Sequence, residues 1–262
     1  MDDQPPIKFE TDDEGVGTLT LNRAGKLNAF DVDMVDLWHR TLVEASDNDA
    51  VKVIIVTGAG KAFSAGGDVE YVRSFREQRA MGFKDFLWRH VHNIALTLER
   101  MEKPVIAAIN GTARGAGLDM ALMCDMRIAA ESAVMAESYI NLNMIAGDGG
   151  TYYLPRLIGM ARALELFWTG REVGAAEAER IGLVNRVVAD SSLLEETNKL
   201  ARQIARQPQE AVRAFKRVVH HGQSQPLAAH LDMLSAQMAV LLDTDEHERR
   251  IDTFLARQRP RR

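Results

Sequence analysis

The stretch Val51-Lys-Val-Ile-Ile-Val-Thr57 is a mostly β-branched run that leads to the glycine-rich turn Phe63-Ser-Ala-Gly-Gly-Asp68. The pattern occurs again where Pro104-Val-Ile-Ala-Ala-Ile109 leads to Asn110-Gly-Thr-Ala-Arg-Gly-Ala-Gly117. An apolar run of this length that ends at glycine is typical of a buried strand leaving a sheet. Because glycine and alanine keep the backbone accessible, two such turns side by side can direct two N–H groups at one oxygen atom. The sequence therefore predicts a pair of turns with the geometry of an oxyanion hole.

Strands and helices alternate around these turns. Residues 16–22 alternate in a strand pattern, which predicts a half-buried strand paired antiparallel with residues 7–10. Apolar residues at helical spacing then predict a helix capped by Asp31 or Asp33. Further strand–helix–strand units lead to a last predicted strand over residues 184–188. This alternation indicates an α/β fold with a parallel sheet.

Beyond the last predicted strand, the pattern becomes purely helical. We therefore expect a core over residues 1–190 and a C-terminal helical region over residues 191–262. One of its helices carries a narrow apolar seam, which faces either the core or another subunit. The seam consists of Leu227, Leu231, Leu234, Met238 and Leu241. In the preceding helix, Arg213, Lys216 and Arg217 share a polar face that either reaches a neighbouring subunit's ligand or, as we expect, faces water.

The composition excludes several classes of function. With 262 residues and 46% apolar content, the chain can bury one large core. A net charge of −5 argues against nucleic acid as a partner, and we interpret the basic stretch Arg257-Gln-Arg-Pro-Arg-Arg262 as a solvated terminus. The seven histidines show no ligand spacing with Cys or Glu, so no metal site is predicted.

Several features favour a cytoplasmic location. The N-terminal stretch Met1-Asp-Asp-Gln-Pro-Pro lacks the basic start and apolar run of a secretory signal, and no charge-free run is long enough to cross a bilayer. We therefore expect no membrane association. The single cysteine, Cys124, cannot form an internal disulfide, and its apolar surroundings favour a packed thiol over a nucleophile.

Glycine-rich turns after strands also bind phosphate groups, so nucleotide motifs must be tested first. Gly58-Ala-Gly-Lys61 lacks the upstream glycine of a Walker loop. Gly115-Ala-Gly117 is followed by Met120, where a dinucleotide-binding fingerprint requires its third glycine. Neither turn therefore fits a nucleotide site.

A series of short motifs runs through the chain from about Val16 to the C-terminal helices. They are Asn22-Arg-Ala-Gly-Lys-Leu-Asn-Ala29, residues 53–58, residues 63–68, Lys103-Pro-Val-Ile-Ala-Ala-Ile-Asn-Gly111, Gly115-Ala-Gly-Leu-Asp-Met-Ala121, Cys124-Asp125, Gly149-Gly-Thr151, Thr169-Gly-Arg171 and Gly182-Leu-Val184. In kind and order they resemble the crotonase superfamily, also called the enoyl-CoA hydratase/isomerase family. The resemblance implies a crotonase-like spiral of ββα units with a helical C-terminal trimerisation region, and assembly as a homotrimer or homohexamer. It also implies an acyl-CoA thioester substrate, with coenzyme A as part of that substrate and no separate cofactor.

The same resemblance assigns the binding residues. The family's two oxyanion-hole N–H groups correspond to Gly67 and Ala116, and the helix that begins at Ala116 adds its dipole to that donor. Arg23 and Lys26 match the family's segment near the CoA phosphates, and residues 65–69 match the segment along the adenine and pantetheine path. The substrate-binding surface then also includes Leu27, Ala65, Gly66, Asp68, Val69 and Gly115.

The acid and base residues depart from the hydratase pattern. The family's hydratases carry two glutamates, but here Asp119 occupies the first position and Tyr139 the second. A phenol is a poor base near neutral pH, so the chain lacks the usual two-carboxylate arrangement for adding water. Asp148 lies near the position where certain isomerases and C–C bond hydrolases of the family place a carboxylate. We expect Asp119 and Asp148 to move protons and Tyr139 to orient substrate or water.

Three functions remain open at this point. The leading hypothesis is an enoyl-CoA hydratase or isomerase, and isomerisation tolerates the missing glutamate better because it needs only a proton shuttle. Asp148 also suggests hydrolytic C–C cleavage of a β-diketone or β-keto acyl compound. The third possibility is a catalytically silent homologue that binds CoA, or RNA through its basic tail. The apolar residues between the two turns either line the acyl pocket or, as is more common for an apolar stripe at helical spacing, belong to the core; they are Met81, Phe83, Phe86, Leu87 and Trp88.

Overall fold

A computed structural model of the protein describes residues 4–75 and 79–258. Within these ranges the chain forms ten strands, arranged in two sheets. In chain order the strands are β1 (Ile7–Thr11), β2 (Val16–Leu21), β3 (Val53–Gly58), β4 (Ala62–Ser64), β5 (Val105–Ile109), β6 (Thr112–Arg114), β7 (Met126–Ala130), β8 (Val134–Ala136), β9 (Val173–Gly174) and β10 (Arg186–Val188).

The same ranges contain twelve α-helices. They are α1 (Val32–Asp47), α2 (Val69–Ser74), α3 (Arg79–Phe86), α4 (His92–Arg100), α5 (Ala116–Leu122), α6 (Gly150–Ile158), α7 (Met160–Thr169), α8 (Ala175–Ile181), α9 (Leu193–Ala205), α10 (Gln209–Gly222), α11 (Leu227–Leu242) and α12 (Asp245–Gln258). A π-helical turn, Leu87–Val91, joins α3 to α4, and a short 3₁₀ segment, Ser138–Leu142, follows β8. Asp31 caps α1 by accepting a hydrogen bond from the Met34 N–H at 3.1 Å, as the sequence predicts.

The two sheets have different sizes but related connections. The larger has the strand order β1-β2-β3-β5-β7-β10, and the smaller has the order β4-β6-β8-β9. All neighbours are parallel except β1–β2 and β8–β9. The predicted antiparallel pairing at the N-terminus is confirmed, with Ile7 opposite Leu21. All five residues of β5 are buried, as expected for a central parallel strand.

Three consecutive strand pairs each give one strand to each sheet before a helix follows. The pairs are β3–β4, β5–β6 and β7–β8. The sequence pattern predicts only the longer strand of each pair, because three residues are too few to show a period. The α/β fold with a parallel sheet and a helical C-terminal region is confirmed.

Helix α10 is anchored to the core by a partly buried ion pair. Lys216 Nζ lies 2.7 Å from Asp125 Oδ2 and donates to the Lys103 carbonyl oxygen at 3.0 Å. The expectation that Lys216 faces water is therefore wrong. Its long side chain lets the ammonium group reach acceptors between α10 and the sheet. Arg217 instead pairs with Glu102 at the surface, where the two atoms are 3.2 Å apart.

The apolar seam of α11 does not face the core of its own chain. None of the residues of α11 is buried, and Leu227, Leu231 and Met238 are about half exposed or more. Helix α9, in contrast, packs against the larger sheet although it follows residue 190. The division of the chain at residue 190 stays a prediction.

Asn28 ties the loop after β2 to the first glycine-rich turn. Its side chain is fully buried, and its backbone adopts the left-handed region with a φ of 56°. The amide nitrogen donates to the carbonyl oxygens of Ala59, Ala62 and Phe63 at 2.9, 2.8 and 3.2 Å. The amide oxygen accepts from the Arg23 N–H at 2.9 Å. One side chain therefore ties the loop after β2 to the first glycine-rich turn.

Replacing Asn28 with alanine leaves several buried backbone groups without their partner. We expect Asn28→Ala to lower the free energy of unfolding by about 3 kcal/mol, because one buried polar group left unpaired costs roughly 1–3 kcal/mol. Urea denaturation followed by tryptophan fluorescence measures this change.

Asn198→Ala is the matched control. The Asn198 amide donates to a single carbonyl, that of Leu194, on the exposed face of α9. Its loss is expected to change the unfolding free energy by less than about 0.5 kcal/mol. Equal losses in the two variants would contradict the anchoring role of Asn28.

Candidate active site

The two glycine-rich turns lie side by side on one cavity. The first turn begins within β4 and the second contains β6, and these two strands are parallel neighbours with Ala62 opposite Thr112. Gly66, at a φ of 94°, packs so closely on the second turn that a Cβ there would lie 2.8 Å from the Arg114 carbonyl oxygen. Residues of both turns line a cavity of about 650 Å³. The sequence prediction that the turns meet at one site is confirmed.

Both predicted oxyanion donors are available to a ligand. Gly67 and Ala116 line the cavity, and within the described residues their N–H groups have no hydrogen-bond acceptor. Ala116 is the first residue of α5, where backbone N–H groups have no partner inside the helix. The positive end of the α5 dipole adds to this donor. The arrangement can hold an oxygen that gains negative charge.

Only some of the remaining predicted binding residues line this cavity. Ala65, Gly66, Val69 and Gly115 belong to its lining. Leu27 contacts this lining through its carbonyl oxygen, which accepts from the Ala65 N–H at 2.9 Å. The lining of the cavity does not extend to Leu27, Arg23, Lys26 or Asp68.

The two predicted phosphate-binding cations share a carboxylate partner. Lys26 Nζ lies 2.7 Å from Asp68 Oδ2, and this hydrogen bond holds the pKa of Asp68 below its usual value. Arg23 lies 3.6 Å from the same oxygen and 2.8 Å from Asp31. The Lys26 side chain is half exposed, so its free face can meet a second anion.

The three predicted acid–base residues converge through one phenol. The Tyr139 hydroxyl lies 2.7 Å from Asp119 Oδ2 and 3.0 Å from Asp148 Oδ2. Asp119 is on α5, Tyr139 is in the 3₁₀ segment after β8, and Asp148 lies just before α6. A phenol has one proton, so it donates to one of these carboxylates at a time.

The cavity separates these residues into two groups. Tyr139 and Asp148 belong to its lining. Asp119 is fully buried and is not part of that lining. Tyr139 therefore links Asp119 to the residues that can touch a ligand.

Burial changes the protonation of this cluster. It raises the pKa of Asp148 to about 6, although the Tyr139 hydrogen bond and the nearby His92 partly offset the effect. The pKa of Asp119 is raised by burial and then by the charge of Asp148. The pKa of Tyr139 is raised well above its usual value by burial and by the two carboxylates, so the phenol keeps its proton near neutral pH.

Two further residues support the cluster. His92 Nε2 lies 2.8 Å from the Gly147 carbonyl oxygen and so holds the loop that carries Asp148. Glu137 is buried beside Asp119 and lies two residues before Tyr139. A histidine in a helix and a glutamate after a short strand give no sequence signal of these contacts, which arise only from the tertiary fold.

An aromatic cluster forms another wall of the cavity. Of the residues considered for the acyl pocket, Phe83, Phe86, Leu87 and Trp88 belong to the lining, whereas Met81 is exposed and does not. The ring centroid of Phe86 lies 5.3 Å from that of Tyr71 and 6.1 Å from that of Phe83. This wall is suited to an apolar group.

Other predicted features of the chain lie away from this cavity. Cys124 is buried, and burial raises the pKa of its thiol to about 12, which confirms a packed thiol. Over residues 4–75 and 79–258, no cluster of three or more His, Cys, Asp and Glu side chains is placed to hold a metal ion. No helix in the same ranges is both long enough and apolar enough to span a bilayer.

The fold and the paired turns define a crotonase-type protein, and comparison with known proteins identifies the family. A family model for enoyl-CoA hydratase/isomerase matches residues 11–261. The chain is 34% identical to the crotonyl-CoA hydratase of Syntrophomonas wolfei, over 94% of both chains. It is 32% identical to the 1,2-epoxyphenylacetyl-CoA isomerase of Escherichia coli, over 95% of both chains. A solved enoyl-CoA hydratase from Bacillus anthracis matches 98% of both chains with a TM-score of 0.89 and 33% identity.

The chain therefore belongs to the enoyl-CoA hydratase/isomerase family. It is an acyl-CoA enzyme of the hydratase or isomerase type.

The close packing of Gly150 on Asp119 generates a prediction. A Cβ at Gly150 would lie 2.1 Å from Asp119 Oδ1 and 3.1 Å from the Ala146 Cβ. We expect Gly150→Ala to lower the free energy of unfolding by about 1–3 kcal/mol, because the buried carboxylate must shift. Urea denaturation provides the measurement.

Gly174→Ala serves as the control, since a Cβ at Gly174 has no neighbour within 4 Å and its φ of −75° suits any residue. A Gly150→Ala variant as stable as Gly174→Ala would show that Asp119 is not held against α6.

Proposed function

We propose that the protein is an enoyl-CoA isomerase that moves a carbon–carbon double bond with one cavity-facing carboxylate. The observation that carries this proposal is the position of the three buried carboxyl groups around Tyr139. Asp148 lines the cavity, whereas Asp119 and Glu137 do not. The activities named for relatives, a crotonyl-CoA hydratase and a 1,2-epoxyphenylacetyl-CoA isomerase, support both reaction types within one fold.

The two backbone donors stabilise the enolate. The thioester oxygen of the substrate accepts hydrogen bonds from the Gly67 and Ala116 N–H groups. Negative charge grows on this oxygen when a proton leaves C2, and fixed dipoles stabilise it without reorganising. Coenzyme A is carried as part of the substrate, and its phosphates meet the half-exposed Lys26 and the neighbouring Arg23 outside the cavity.

Asp148 moves the proton. Its carboxylate takes a proton from C2 of a 3-enoyl thioester, which gives a dienolate and a neutral Asp148. The same carboxyl group then returns the proton to C4, which gives the 2-enoyl thioester and restores the carboxylate. Tyr139 supports both steps, because its oxygen accepts a hydrogen bond from the protonated Asp148 while its hydroxyl group donates to Asp119.

Water addition is less well supported by this geometry. The family's hydratases use two carboxylates around the water molecule. Here Tyr139 occupies the position of the second carboxylate, and Asp119, which accepts from Tyr139, is fully buried and does not line the cavity. Hydrolytic C–C cleavage requires an activated water in the same place. We therefore favour isomerisation over both reactions.

The assembly is also part of the proposal. The exposed apolar side chains of α11 and α12 include Leu227, Leu231, Ile251 and Phe254. Surfaces of this kind are typical of subunit contacts, which supports a homotrimer or homohexamer. Of the predicted basic tail, Arg257 lies at the end of α12, and residues 259–262 lie outside the described ranges. The cytoplasmic location and the absence of a nucleic-acid partner stay predictions.

The role of Asp148 leads to a mutational prediction. We expect Asp148→Asn to lower kcat for 3-enoyl-CoA isomerisation by about 100-fold or more, because the amide cannot accept the C2 proton. KM is expected to stay within about threefold, since binding does not depend on this charge. The absorbance of the conjugated 2-enoyl thioester follows the reaction.

Asp33→Asn, on the exposed first turn of α1, is the matched control and retains the wild-type rate. The wild-type kcat falls below about pH 6, because the raised pKa of Asp148 leaves the base protonated there. A near-normal kcat in the Asp148→Asn variant would refute the proposal. A wild-type protein that only hydrates 2-enoyl thioesters would refute it as well.

The oxyanion hole can be tested by removing one N–H group. Proline is tolerated at the first position of a helix, so Ala116→Pro deletes the donor without breaking α5. We expect kcat to fall by about 10²–10³. Ala175→Pro makes the same change at the start of α8, at a position equally buried, and retains activity. Similar rates in both variants would remove Ala116 from the mechanism.

A further inference from the structure

Glu137 is a buried carboxyl group that the proposed mechanism does not use. It follows β8 directly and is 1% exposed. Neither of its side-chain oxygens has a hydrogen-bond donor from the described residues. A buried carboxyl group without partners is costly, so its presence beside the site requires a physical explanation.

The neighbour of Glu137 is the carboxyl group of Asp119. The two side chains lie within hydrogen-bonding reach of each other. Asp119 Oδ1 also has no hydrogen-bond partner, although the Gly150 N–H lies close enough to lower the pKa of this carboxyl group and Oδ2 accepts from Tyr139. Two ionised carboxylates have no proton to share, so a hydrogen bond between these two groups forms only if one of them is protonated.

The surroundings indicate which group holds the proton. Burial and then the charge of Asp119 raise the pKa of Glu137, and the charge of Asp148 adds to the effect. Of the basic groups around the cluster, Arg114 in the small sheet pairs with Glu172, and His92 on α4 acts on Asp148 and not on Glu137. Glu137 is therefore the neutral member of the pair, and Asp119 is the acceptor.

The distances around Tyr139 fit this assignment. The phenol oxygen lies 2.7 Å from Asp119 and 3.0 Å from Asp148. When Asp119 is ionised, the Tyr139 hydroxyl donates its single proton along the shorter contact, to Asp119. The Asp148 oxygens are then left without that donor and face the cavity.

We propose that Glu137 is a positioning residue that, as a neutral carboxylic acid, donates its proton to Asp119 and so directs the Tyr139 proton away from Asp148. Resting on the proposed isomerase function, this arrangement assigns the three carboxyl groups different tasks. Glu137 is the donor, Asp119 is the acceptor and Asp148 is the base. One proton on Glu137 and one on Tyr139 are enough to form these hydrogen bonds.

Loss of the donor should reverse the hydrogen bonds. Without Glu137, Asp119 takes up a proton itself and donates to the Tyr139 oxygen. Tyr139 then donates to Asp148, and this hydrogen bond stabilises the Asp148 carboxylate. Asp148 becomes a weaker base with a lower pKa, so the reaction slows while the working pH range extends downward.

The test compares Glu137→Leu, which removes the donor at similar volume, with Glu137→Gln, whose amide N–H still donates. We expect Glu137→Leu to lower kcat about tenfold at unchanged KM and to move the acidic limb of the pH profile down by about one unit. Glu137→Gln restores most of the lost rate and returns the limb to its wild-type position. The limb distinguishes this role from a merely structural one.

Glu131→Leu, at an exposed turn between β7 and β8, is the control and keeps the wild-type profile. A wild-type limb in Glu137→Leu overturns the proposal. It is also overturned if Glu137→Gln shifts the limb as far as Glu137→Leu does, because the donor would then be irrelevant.

A second readout needs no activity, so it separates this proposal from the proposed function. A carboxyl group that is neutral when folded loses its proton on unfolding above about pH 4, the usual glutamate pKa. The urea midpoint of the wild type should therefore fall relative to that of Glu137→Gln as the pH rises from 5 to 8. A difference that stays constant over this range shows an ionised Glu137 and overturns the proposal, even if the chain isomerises its substrate.

Discussion

The hydroxyl group of Tyr139 is shared by two buried carboxyl groups, and the chemistry of the site depends on how its one proton is placed. Asp119 and Asp148 cannot both be ionised at low cost in this environment, and Glu137 adds a third carboxyl group to the same volume. The cluster is stable only if protons are distributed among its oxygens. That requirement gives each acid a different role, which a symmetric pair of exposed carboxylates would not have.

The two sheets bring this cluster to the oxyanion donors. Each of three strand pairs gives one strand to each sheet. The parallel strands β4, β6 and β8 therefore end at a common edge of the smaller sheet, and the segments that follow them begin there. The first carries Gly67, the second carries Ala116 and the third carries Tyr139. Asn28 fixes the entry of the first segment through three carbonyl groups. The site is therefore built from backbone positions that the parallel register aligns.

The sequence predicts the elements whose signals are local. The long strands, the Asp31 cap and the two glycine-rich turns follow from apolar period and turn chemistry, and family motifs predict Asp119, Tyr139 and Asp148 as one group. The three-residue strands have no period to detect. The burial of Lys216 and the contact of Glu137 with Asp119 depend on residues far apart in the chain, so no local pattern reports them. Family resemblance likewise does not predict that Asp119 lies behind Tyr139.

A crystal structure of the protein with a bound, unreactive 3-enoyl-CoA analogue would test the roles of the oxyanion donors and of Asp148 together. We expect the thioester oxygen within hydrogen-bonding distance of both the Gly67 and Ala116 nitrogens. We also expect Asp148 beside C2 and C4, with Tyr139 between Asp148 and Asp119. A thioester oxygen bound elsewhere, or an acyl chain that contacts Asp119 while Asp148 points away, would contradict these roles.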